Sequence, residues 1–189
     1  KSIYLRKLRQ TALLNKSVFA PPVNKNLAHL TTDLVAQTAQ FFPRSANTEK
    51  WKEIWYHAIQ RSAASVLITQ PTLRTKENAG LIDEVAGYRG LIGQPKHPRT
   101  VTQAAREIVA SAKDGKHLDS YLESSDWIDF EGALLQAFEK SRPLYLYVDA
   151  IDDNFKWAPS YWTSCQKGLF YAVMDEQRLE PRLHVVAAI

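Results

Sequence analysis

Apolar positions recur at helical spacing through most of the chain and give way to continuous apolar runs near its end. Over residues 3–14, Ile3, Leu5, Leu8 and Leu13 stand about a helical turn apart with basic residues between them. They predict an opening helix that begins at or before Lys1. Ser17 to Ala20, closed by Pro21 and Pro22, predicts a short buried strand. Leu27, Leu30, Leu34, Val35, Ala39 and Phe42 predict a helix over 26–42 that Pro43 stops. Asn47 or Thr48 caps the next helix, whose apolar face carries Trp51, Ile54, Trp55, Ala58, Ile59 and Ala63. Trp51, Trp55 and Tyr56 read as core packing rather than a platform for stacking bases. Residues 70–99 hold Pro71, Pro95, Pro98 and four of the seven glycines, which predicts loop around one short helix at 79–88. Further helices are expected over 101–113, 117–124 and 130–140.

The pattern then changes. Leu144 to Val148 (LYLYV) is apolar on both alternating faces, as in a central parallel strand covered on both sides. A long helix follows from Pro159 to Glu176, and Leu183 to Ile189 forms a second apolar run. Strand, crossover helix and strand make a βαβ unit, which predicts a parallel α/β sheet.

Composition narrows the setting. A length of 189 residues suits one domain with a full core. No apolar run reaches the ~20 residues of a membrane span, and the first ten residues have no secretory core. Cys165 stands alone, so no internal disulfide forms and a reducing, cytoplasmic location is expected. The five histidines lack the spacing of zinc ligands. The charge is uneven. Residues 1–100 carry 15 Lys and Arg against 6 Asp and Glu, while the remainder carries 9 against 14. A basic half attracts phosphates, either of a nucleotide or of a nucleic acid. The chain begins with Lys and ends inside an apolar run, so it is expected to be a piece of something longer, cut at both ends.

The candidate chemistry gathers at LYLYVDAIDD. Asp149 follows the apolar run directly, and Asp152 and Asp153 come just after it. Ligands of open α/β sheets bind at the carboxyl ends of the strands. A carboxylate at that point can hold Mg²⁺, and a neighbouring acid can polarise a water. At the other end of the chain, Lys1-Ser2 stands where the opening helix begins. That is the place of the Lys-[Ser/Thr] pair that closes a phosphate-binding loop.

Together, KS before an amphipathic helix, WKEIW, DAIDD and the closing RLHVVAAI resemble the P-loop NTPases of the STAND and AAA-like type. They resemble especially the large bacterial ATPases of regulatory and anti-phage defence systems. The resemblance implies a three-layer α/β P-loop fold with a parallel sheet. Residues 1–189 would be a partial core and about 24–142 a largely helical insertion between Walker A and Walker B. It implies that Lys1 and Ser2 bind ATP, that Ser2 and Asp149 hold Mg²⁺, and that Asp152 or Asp153 activates water. Hydrolysis would drive a conformational or assembly switch, with a homo-oligomer and a protein effector as partners. ATP and GTP are not separated, because no base-specificity element is visible. The loop's glycines are absent from the chain, and no arginine finger can be assigned. Two other readings stand beside this one. DAIDD could be a surface turn of a non-enzymatic helical interaction or regulatory module. The basic first half could instead belong to a nucleic-acid-binding domain.

Overall fold

A computed structural model describes residues 7–11, 38–41, 47–148 and 159–187. Helix α1 (Thr48–Thr69) is the hub. Asn47 starts it, its side-chain Oδ1 accepting from the backbone N–H groups of Glu49 and Lys50 at 3.1 and 3.5 Å. Every residue from His57 to Leu67 is buried, so this stretch is covered on all sides rather than along one stripe. Pro71 follows its carboxyl end and opens a 3₁₀ turn, Pro71–Leu73.

Six further helices and two strands follow α1, and the short described segments 7–11 and 38–41 are helical as well. Those after α1 are α2 (Ala79–Gly87), α3 (Arg89–Ile92), α4 (Val101–Ser111), α5 (Gly115–Leu122), α6 (Asp126–Glu139), β1 (Leu144–Val148), α7 (Pro159–Leu179) and β2 (Leu183–Ala187). Helix α1 packs most extensively on α7 and α4, and α2 packs on α6. Buried Asn78 ties the α2 end to the α6–β1 junction. Its amide nitrogen donates to the carbonyls of Leu73 and Lys140 and to the Ser141 hydroxyl.

β1 and β2 pair in parallel, with Leu144 opposite Leu183 and Val148 opposite Ala187. Leu144, Leu146, Val148, Leu183 and Val185 face the helical core. On the other face, the rings of Tyr145 and His184 lie 4.4 Å apart. There Leu8, in the helical segment 7–11, packs against buried Tyr147 with Val186. The sheet is thus clothed on both faces near Tyr147, as the two-sided apolar run requires.

The three-layer α/β P-loop architecture expected from the sequence is not what the described residues form. They are mostly helical, and their sheet has two strands. The apolar period of 48–139 is helical throughout, so this stretch supplies a helical body and no additional strand. The strand expected over 17–20 lies outside the described residues. The stretch 70–99 is more regular than its prolines and glycines suggest, holding two helices and a 3₁₀ turn. Helix α6 starts four residues before the expected Phe130, because Asp126 and Asp129 suit the first turn of a helix.

Candidate functional site

The expected nucleotide residues Lys1, Ser2, Asp149, Asp152 and Asp153 lie outside the described residues. What is described is the ground next to them. β1 ends at Val148, one residue before Asp149, and its in-register parallel partner ends beside it. Leu8, six residues after Ser2, packs on Tyr147, two residues before Asp149. Arg9 on the same segment acts electrostatically on the Tyr147 phenol. Segment 7–11 and the end of β1 are therefore neighbours. Among the described residues no three His, Cys, Asp or Glu side chains are grouped to hold a metal. The expected Mg²⁺ ligands are a hydroxyl and a carboxylate, hard oxygen donors that suit this ion.

A second feature was not anticipated. A surface cleft of about 450 Å³ opens between α1 and α7, lined by Glu49, Lys52, Glu53, Tyr56, His57 and Asp175, with Arg178 and Leu179. Lys52 and Asp175 bridge across it at 2.7 Å. Tyr56 links its wall to a polar cluster. The Tyr56 hydroxyl and the Gln60 amide both donate to Glu131 Oε2 of α6, each at 2.8 Å. Glu176 of α7 also acts on Tyr56, and it is only 3% exposed.

Burial governs the ionisation of this cluster. It raises the Glu176 carboxyl to about 8, with the negative charges of Glu131 and Glu180 adding to the effect. It also lowers the His57 imidazole to about 4. His57 is held by geometry as well. Its ring lies 4.0 Å from that of Trp127, near parallel, and Nε2 lies 3.1 Å from the Leu122 carbonyl oxygen. Near neutrality His57 is an uncharged packing residue. Cys165 is fully buried, and burial pushes its thiol far up, so it is an inert core group.

The sequence did carry a trace of the cluster. Cys165, Leu169, Ala172 and Glu176 follow one another at helical spacing, which puts a lone acid on an apolar stripe. That Glu131 would face it depends on how α6 meets α7. The chain matches no protein-family model, no curated protein and no solved structure.

Proposed function

We propose that the chain binds a nucleoside triphosphate and hydrolyses it at the carboxyl end of β1. The reading concerns the chemistry of the site, and it does not require the three-layer architecture. One observation supports it most. Leu8, six residues after Ser2, packs on Tyr147 of β1, two residues short of Asp149, on a strand whose parallel partner ends beside it. Parallel strand ends of this kind are where α/β proteins collect phosphate ligands and their cations.

The roles follow from charge. The Lys1 ammonium neutralises oxygens of the β- and γ-phosphates. The Ser2 hydroxyl and the Asp149 carboxylate supply oxygen ligands for Mg²⁺. Bound there, the ion offsets charge on the phosphate oxygens. Asp152 or Asp153 orients a water and accepts its proton as the water oxygen bonds to the γ-phosphorus. The bond between that phosphorus and the bridging oxygen breaks, releasing the diphosphate and phosphate. Phosphoryl transfer depends mainly on positioning and charge neutralisation, so a small set of residues suffices. Hydrolysis would then drive an assembly or conformational switch in a homo-oligomer with a protein effector.

The test is Mg²⁺-dependent ATP hydrolysis by wild type, Asp149→Ala and Asp153→Ala. The expected result is a loss of at least about 100-fold in kcat for Asp149→Ala, the scale of losing one preorganised charge partner. Unchanged turnover in both variants overturns the assignment. One observation favours a second reading, a helical interaction module. Phe170, Tyr171 and Met174 stand 52, 46 and 39% exposed on the outer side of α7. Absence of nucleotide binding, together with concentration-dependent self-association lost in Phe170→Glu, would favour that module.

A further inference from the structure

The inner stripe of α7 runs Cys165, Leu169, Ala172, Glu176, and the first three are fully buried. Glu176 is as deeply placed as its apolar predecessors, yet it ends in a carboxyl group. Its Oε2 has no hydrogen-bond partner. The groups that face it come from each neighbouring element. They are Tyr56 from α1, Glu131 from α6 and Glu180, the first residue beyond α7. Both charged neighbours are acids. Glu131 is already committed as an acceptor, taking hydrogen bonds from Tyr56 and Gln60 on one oxygen. The nearest lysine of the cleft wall, Lys52, is engaged by Asp175 at 2.7 Å.

We propose that Glu176 is a protonation switch at the junction of α1, α6 and α7. Its neutral acid seats α7 against α1, and loss of the proton drives α7 outward and opens the cleft at Tyr56. An ionised Glu176 would put a second carboxylate near Glu131, and among the described residues no cation, Lys52 and Arg178 of the cleft wall included, forms an ion pair with it. Both desolvation and like charge oppose that state. The proton leaves at about 8, just above neutrality, so the two states exchange in mildly alkaline solution. Because α7 is the crossover between β1 and β2, its displacement pulls on both strands. The Trp51 and Trp55 rings lie on the α1 face that meets α7. The Trp55 indole N–H donates to the Cys165 carbonyl at 3.1 Å, so indole fluorescence reports the separation. The inference goes beyond the nucleotide reading and rests on no residue of that site.

The experiment follows tryptophan fluorescence and thermal midpoint of the full chain between pH 6 and 9.5, for wild type, Glu176→Gln and Glu131→Gln. In wild type the fluorescence should change in one titration step near pH 8, while the thermal midpoint should fall above about pH 6.5 and level off past 8. Glu176→Gln should abolish the step and keep the low-pH signal throughout. Glu131→Gln removes the neighbouring charge and should move the midpoint down. A merely structural glutamate would leave that midpoint where it was. A wild-type profile flat from pH 6.5 to 9, or an identical step in Glu176→Gln, overturns the proposal. If Glu176→Gln does not fold, an unshifted midpoint in Glu131→Gln overturns it equally.

Discussion

Gly168 shows how far a single side chain can matter here. A Cβ at this position would stand 2.5 Å from Trp51 Cβ and 2.8 Å from the Lys52 backbone nitrogen. Neither atom can swing away, so α1 and α7 approach as closely as they do only because residue 168 is glycine. Gly168→Ala forces the helices apart and should destabilise the chain by about 1–3 kcal/mol, the usual cost of overpacking. Its gain in helix propensity, about 1 kcal/mol, does not offset the upper part of that range. Equilibrium urea unfolding measures the difference. A variant as stable as wild type would mean that the two helices do not meet this closely. Gly93 is a different case: its φ of +65° is itself the constraint, in the turn that follows α3.

The helices of the body depend on local signals at their ends as much as on packing. Helix α4 is closed at its start by a reciprocal pair. The Thr100 hydroxyl oxygen accepts from the Gln103 N–H at 3.2 Å, and the Gln103 side-chain oxygen accepts from the Thr100 N–H at 3.0 Å. Both hydrogen bonds satisfy donors that the helix itself leaves free. Thr100→Ala should cost about 1 kcal/mol, read as a lower unfolding midpoint with an unchanged denaturant slope. Helix α1 has a one-way cap at Asn47, whose side-chain oxygen accepts from the Glu49 and Lys50 N–H groups. Its middle instead depends on being covered by α4 and α7, because no polar face remains to stabilise it in water.

Among the described residues the main core is continuous from α1 through α6 to β1, α7 and β2, so local titrations are felt as global stability. His57 and Glu176 act with opposite signs. The folded value of His57 is depressed from 6.5 to about 4, so its contribution is complete above 6.5 and is lost as pH falls towards 4. The folded value of Glu176 is raised from 4.5 to about 8, so its contribution is complete below 4.5 and is lost as pH rises through 8. Between about 4.5 and 6.5 the two slopes cancel, and stability from this pair should be level. Above 6.5 only Glu176 remains, and stability should fall by up to about 1.4 kcal/mol per pH unit until about 8. His57→Gln should expose the falling slope from pH 4.5 onward, and Glu176→Gln should show the rising slope alone. Chemical denaturation at half-unit pH steps distinguishes the three profiles. A His57→Gln profile parallel to wild type would show that the imidazole is not buried uncharged.

Much of this was written in local pattern. The period of apolar residues gave α1, α4, α6 and α7, the Asn47-Thr48 pair gave the start of α1, and the LYLYV run gave a strand with Asp149 just beyond it. These features were legible because each depends on residues within a few positions of one another. The number of strands, the cover of Leu8 on Tyr147, the α1–α7 cleft and the meeting of Glu131 with Glu176 were decided only in three dimensions. Sequence spacing fixes which way a side chain faces on its own helix. It does not fix which helix stands opposite, and the ionisation of a buried acid depends on that neighbour.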